Sequence, residues 1–480
     1  MDIVKILLQD PRVDPTMQKN KLIRMASIFG YPDVVEILLQ DPRVDPRYRN
    51  NFAIRRASDR GHSDVVKLLL EDPRVDPSAD NNYAIRCASE RGYSDVVQLL
   101  LQDSRVDPSA DNNYAIRCAV DPSADNNYAI RCASERGYSD VVQLLLQDSR
   151  VDPSADNNYA IRCASERGYS DVVKRLLQDF RVDPSADNNY AIRCASERGY
   201  SDVVQLLLQD SRVDPSADNN YAIRCASERG YSDVVQLLLQ DSRVDPSADN
   251  NYAIRCASER GYSDVVQLLL QDSRVDPSAD NNYAIRCASE RGYSDVVKLL
   301  LQDFRVDPSA DNNYAIRNSS ANAQVEVVKN LLVDPRVDPT VNKNYCIRKA
   351  SERGHTEVVK LLLQDPRVDP TAKKNYCIRK ASTKAHTDVV KILLADPRVD
   401  PSSDNNYAIR WASKEGHADV VKLLLQDFRV DPNAHDNFAI RRASEEGNAD
   451  VVKLLLSDPR VDSSLADSPI HLFGEGSVEL

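Results

Sequence analysis

The side chains of this chain that could do chemistry are thiols, imidazoles and guanidinium groups, which could ligate a metal, act as nucleophile and base, or hold an anion. All three recur by rule. Eight of the ten cysteines (Cys87, Cys118, Cys132, Cys163, Cys194, Cys225, Cys256 and Cys287) fall in one slot of a 31-residue period, and Cys346 and Cys377 fall in another. His62, His355, His386 and His417 share a third slot, and no Cys-x-x-Cys or His-Glu-x-x-His run brings two ligands onto one turn. Twelve of the 14 glycines also recur at one place, leaving only Gly474 and Gly476, so no phosphate-cradling loop remains. The pattern predicts no catalytic residue, no cofactor and no metal, and the cysteines read as structural thiols. The Cys87 slot should border solvent, because Asn318, Lys349, Lys380, Trp411 and Arg442 fill it elsewhere. One arginine, seen as Arg24, Arg55, Arg86 and onward to Arg441, is present in every copy. Its planar fork suits a carboxylate, so it is expected to pair with a turn aspartate such as Asp80 or Asp107 in its own or the adjacent unit.

The elements that must position these residues follow from the period itself. An aromatic marks it at Phe52, Tyr83, Tyr114 and Tyr128, then every 31 residues to Phe438, and a period between about 20 and 50 is the signature of a solenoid. Asn82 precedes Tyr83 to Ser89, where its amide could cap a first helical turn, and Gly92 follows, where a left-handed stop is cheap. That makes a short helix A. Ser94 and Asp95 open a second segment, Val96 to Leu101, whose apolar residues cover more than one stripe; helix B is expected to pack on its own helix A and on both neighbouring units. Asp103-Ser104-Arg105-Val106-Asp107-Pro108 cannot continue a helix and gives a long turn, with Val106 as its apolar peg. Stacked equivalents would lie near 10 Å apart, too far for the roughly 4.4 to 6.8 Å between Cα atoms that a disulfide allows. Ala323 and Ala385 replace the turn glycine, and forcing alanine into a left-handed turn costs on the order of 1 kcal/mol, so these are the weakest joints expected.

Arg60-Gly61-His62-Ser63-Asp64-Val65-Val66-Lys67-Leu68-Leu69-Leu70 and Gly354-His355-Thr356-Glu357-Val358-Val359-Lys360-Leu361-Leu362-Leu363 closely resemble the second half of an ankyrin repeat, and Ala88-Ser89-Glu90-Arg91-Gly92 resembles the end of that family's first helix. The chain departs from the family in reading Tyr83-Ala84-Ile85-Arg86 where Thr-Pro-Leu-His is usual, and in a turn about two residues shorter with no glycine after helix B. The resemblance implies an all-α ankyrin-type helical solenoid of about fourteen helix-turn-helix repeats, elongated and curved. It looks most like the long arrays of protists and large DNA viruses.

Residues 1-462 read as one array, with a partial first repeat over 1-13 and a tail over 463-480 in which Ser468-Pro469-Ile470-His471 looks like the start of an incomplete last repeat. Within 106-133 a half-repeat is duplicated: VDPSADNNYAIRCA occurs twice with no helix B between. Closure entropy grows slowly with loop length, so the stack is expected to stay continuous while one copy bulges out. The formal charge of -12 argues against nucleic acid as partner, and no apolar run nears the 18 residues of a membrane span. An intracellular, cytoplasmic protein is expected. From Thr340 to Asp400 the charge reverses, and Lys343, Lys349, Lys373, Lys374, Lys380 and Lys384 are the candidate partner-binding residues, suited to an acidic protein. The resemblance implies a protein-protein interaction scaffold or adaptor that binds through the concave helix A face and turns. The alternative, favoured by near-identical central units, is a structural spacer or self-associating rod.

Overall fold

The structure is a computed structural model that describes residues 6, 7, 10, 12–110 and 127–461. Among them are 28 helices and no strand, in fourteen A–B pairs that run from Met17–Phe29 with Pro32–Gln40 to Ala434–Glu445 with Ala449–Leu456. The chain divides into two compact units, Met1–Ala248 and Asp249–Leu480. Within each, helix A packs on its own helix B and on the helix A of its neighbours, and helix B on the next helix B, so consecutive pairs stack as a solenoid. Ala191, Ile192 and Ala195 of one helix A, Val203, Val204 and Leu207 of its helix B and Val213 of the following turn are all sealed from solvent. No single pair could close that surface, since helix B offers apolar residues to three neighbours at once. Val213 and its equivalents fill the role expected of the turn valine.

Neither expected cap is made. Helix B is preceded by Tyr200, with no side chain bonded to its first turn, and Asn189 does not cap helix A. Asp187, Asn188 and Asn189 instead form a left-handed turn, with φ between 54° and 59° at all three residues. L-residues usually visit this region singly, and Asn and Asp do so at least cost, which is the physical reason for the recurrent Asp-Asn-Asn. Three bonds hold the turn. The Asn189 N–H donates to Ser185 O at 2.8 Å. Arg193 donates from Nε to Asn188 O at 2.9 Å and from Nη2 to Asp187 O at 3.3 Å. Asn189 Oδ1 accepts from the backbone N–H of Asp214, in the next repeat, at 2.7 Å. The invariant arginine therefore serves first the carbonyls of its own left-handed turn, and where the next such turn begins with aspartate that residue is its carboxylate partner: Arg193 Nη1 reaches Asp218 Oδ2 at 3.2 Å. The aspartate of the Asp107 slot does not take that role.

A second ladder runs along the long turns. Arg212 pairs with Asp210 at 2.6 Å and donates from Nη1 to the carbonyl of Val182, one repeat earlier, at 2.6 Å. Ala323 and Ala385 do stand at the left-handed joints, each with φ of 61°. Residues 111–126, with most of the duplicated half-repeat, lie outside the described residues, as do the tail and most of the partial first repeat. On either side of 111–126, the Asn127 N–H donates to Ser109 O at 3.1 Å, helix Ala79–Arg91 packs on helix Tyr128–Glu135, and Arg150 donates to Val106 O.

Candidate functional site

The charge of helix A depends on which repeat it belongs to. In the uniform copies the charges cancel across the stack. Glu166 takes a 2.6 Å bond from Arg198, Glu197 takes one of the same length from Arg229, and the Tyr221 hydroxyl donates to Glu197 at 2.9 Å. Helices Val341–Arg353 and Ala372–Thr383 break this pattern. The first carries Lys343, Arg348, Lys349 and Arg353 against the single carboxylate of Glu352. The second, with the Lys384 that follows it, carries Lys373, Lys374, Arg379, Lys380 and Lys384 against none. The other carboxylates of this stretch lie elsewhere, Glu357 and Asp388 on helix B and Asp365, Asp369, Asp396 and Asp400 in the long turns. Folding thus sorts a mildly basic run of sequence into a strongly basic helix A face.

The six candidate lysines fall into two groups on that face. Lys343 and Lys374 occupy the middle of their left-handed turns and Lys373 the first position; all three are exposed. Lys374 approaches Asp404 at 3.6 Å, while Lys343 and Lys373 have no ion-pair partner among the described residues. Lys349, Lys380 and Lys384 lie further along helix A. Lys349 and Lys384 converge on Glu352 at 2.7 and 3.7 Å, and Lys380 Nζ sits 5.9 Å from the centroid of the Tyr376 ring. Burial pushes the Glu352 carboxyl up, but hydrogen bonding from Lys349 and the charges of Lys349 and Lys384 outweigh it and leave it below its ordinary value. The Lys349 ammonium is raised in turn, first by its bond to Glu352.

One repeat further on, the slot of Lys349 and Lys380 is filled by Trp411. Its half-buried indole stacks on Tyr407 at 5.6 Å, meets Phe438 at 6.1 Å, and has Lys414 Nζ 4.8 Å from its ring centroid.

The arrangement of paired helices is matched by a family model of ankyrin repeats, in copies of three, over residues 22–112, 54–157, 129–220, 222–312, 313–405 and 378–467. The chain belongs to the ankyrin-repeat family. Among solved structures, this ankyrin-repeat chain is similar to EF0377, an ankyrin repeat protein, at 23% identity and a TM-score of 0.32, over 39% of this chain and 96% of that one. It is also similar to the ankyrin repeat domain of Bcl-3, a member of the IkappaB family, at 22% identity and a TM-score of 0.36, over 45% of this chain and 97% of that one. No curated protein matches it.

Most described cysteines of the Cys87 slot are half-buried, as expected of a slot that borders solvent, but Cys132 is buried. Cys163, Cys194 and Cys225 are half-buried and free, whereas Cys346 and Cys377 are fully buried and burial pushes each thiol up to about 12. Among the described residues no helix is long and apolar enough to cross a membrane. Three features escaped the sequence reading: the Asn189-type clasp between repeats, the Asp210–Arg212 ladder, and the place of Trp411 beside the lysines. The first two could have been found by asking why Asn and Arg stay fixed in copies whose neighbouring positions change.

Proposed function

We propose that this chain is a non-catalytic protein-binding scaffold that contacts an acidic partner through the helix A face and left-handed turns of residues 341–384. The observation that carries the reading is the exposure of Lys343, Lys373 and Lys374 in two successive left-handed turns, with Lys349, Lys380 and Lys384 further along the same two helices, which hold the one carboxylate of Glu352. Charges placed so steer an oppositely charged partner and fix its register. The exposure of Lys343 and Lys373 at left-handed turns, a conformation lysine adopts at a cost, supports a role outside the chain's own stability. Half-buried thiols with no partner cysteine suit a reducing compartment, and the cytoplasm is the setting we infer.

The test compares partner capture by the unaltered chain with capture by a chain carrying Lys343→Glu, Lys373→Glu, Lys374→Glu and Lys384→Glu. A control changes Lys360 and Lys391, on helix B, to glutamate. A protein retained by the first and by the control but lost from the lysine-reversed chain supports the reading. Equal loss from both reversed chains would overturn the location. The spacer reading draws on the near-identical repeats between Val120 and Arg305, whose described helix A faces carry the same Glu–Arg pairs and show little to tell one from the next. It predicts self-association of the unaltered chain and no heterologous partner.

A further inference from the structure

We infer that the lysine face and Trp411 form one bipartite site for an extended acidic peptide bearing an aromatic side chain about one repeat beyond its carboxylates. The inference rests on the scaffold reading and names the chemistry of its partner. Lys349, Lys380 and Trp411 fill one slot in three successive repeats, so they form a column across packed helices. Successive helix axes lie about 8 to 10 Å apart, and an extended peptide advances about 3.3 Å per residue. Each repeat is thus passed by about three peptide residues, and the two lysine-bearing repeats accept about six.

The basic face is bounded. On one side Asp311 is matched by Arg286 at 3.6 Å; on the other, Asp404 is shared by Arg379 at 2.8 Å and Lys374 at 3.6 Å. The exposed lysines span two repeats, about 20 Å, a length that a short acidic segment of about six residues fills. Beyond Asp404 the surface changes from charge to aromatic. Trp411 is held between Tyr407 and Phe438, and the Lys414 ammonium above its ring marks an electron-rich face. A peptide aromatic can add to this cluster in offset or edge-to-face contact. A second copy of this chain is a poor occupant, because its own helix A carboxylates, such as Glu166 and Glu197, are already bonded to arginines.

Trp411 is the sole tryptophan of the chain, so its fluorescence reports on this site alone. The experiment titrates the full chain with a synthetic peptide of six glutamates followed, two glycines later, by phenylalanine, and repeats the titration with the sequence reversed. Control titrations use the same peptide with alanine in place of phenylalanine, a six-lysine analogue, and a thymidylate oligonucleotide of equal charge. Saturable change in Trp411 emission is expected for one polarity of the glutamate peptide. Binding should weaken about tenfold without the phenylalanine and by a similar factor in a Lys373→Glu, Lys374→Glu variant, and should fade at high salt. It should survive Lys360→Glu and Lys391→Glu. No saturable binding, equal binding of the oligonucleotide, or indifference to lysine reversal would overturn the inference. If the peptide fails while the lysine-reversed chain still loses its captured protein, the scaffold reading stands and this one falls.

Discussion

Asn189 serves two needs that pull on one side chain: its backbone sits at φ 59°, where few residues are at ease, and its amide oxygen accepts the Asp214 N–H at 2.7 Å from the next repeat. Glycine at 189 would keep the conformation and lose the acceptor, whereas alanine would lose both. Asn189→Gly should therefore destabilise by about 1 to 2 kcal/mol, and Asn189→Ala by about 1 kcal/mol more, measured by urea unfolding. Arg193→Ala removes two donors to the same turn and the pair with Asp218, and should cost about 2 kcal/mol. None of these three changes should affect capture of a partner at residues 341–384; a loss there would make the arginine column part of the binding surface. The thiols give an independent check. Cys346 and Cys377 are sealed and raised to about 12, so a thiol reagent at neutral pH should modify Cys163, Cys194 and Cys225 slowly in the native chain and reach Cys346 and Cys377 only on unfolding. Native labelling of Cys377 at a rate like that of Cys194 would contradict the packing.

The joint between helix A and helix B shows how local conformation and stacking are set by one residue. At Gly199 the chain runs with φ of 80°, and a Cβ there would come within 2.7 Å of a ring carbon of Tyr231 in the next repeat. Gly199→Ala should cost about 2 kcal/mol or more by adding a clash to an unfavourable conformation. At Ala323 and Ala385 the chain already bears the conformational part, with φ of 61° at each. Ala323→Gly and Ala385→Gly should each stabilise by about 0.5 to 1 kcal/mol, visible as a higher thermal midpoint. These joints were legible in the sequence because glycine has one reason to recur at a helix end. The pairing of helices was legible for the same kind of reason, since the spacing of Val203, Val204 and Leu207 admits few other arrangements. The left-handed turn was not. Asn189 also satisfies the ordinary rule for a helix cap, and it is the stacking of repeats that turns its oxygen to the Asp214 N–H of the neighbour. The binding face was half legible: the lysines could be counted along the chain, but that most carboxylates of the same stretch lie on helix B and in the turns, leaving Glu352 as the one carboxylate on the two lysine-bearing helices, is a consequence of the fold.

Among the described residues the most regular electrostatic feature is the pairing of the first aspartate of each long turn with the arginine two residues on, as in Asp179–Arg181, Asp210–Arg212 and Asp365–Arg367, each at 2.6 Å. The hydrogen bond from Arg212 lowers the Asp210 carboxyl below its ordinary range, more than partial burial raises it, and the same balance holds at Asp179 and Asp365. A carboxylate depressed in the folded state binds fewer protons there than in the unfolded chain, so its contribution is complete above the unfolded value of about 3.9 and is lost as pH falls through the folded one. The arginines remain charged throughout. Stability should thus show no slope from these pairs near neutrality and should fall steeply below about pH 4, where equivalent groups in successive repeats take up protons together. Each arginine also bonds a carbonyl of the preceding repeat, as Arg212 does at Val182, so protonation loosens contacts between repeats as well as within turns. Urea unfolding at pH 7, 5, 4 and 3 measures the slope. Asp210→Asn together with Asp179→Asn should lower stability at pH 7 and flatten the acid limb, because two of the titrating groups are gone. Unchanged stability from pH 7 to 3, or an acid limb as steep in the double variant as in the parent, would show that the turns are held by packing of the valines alone.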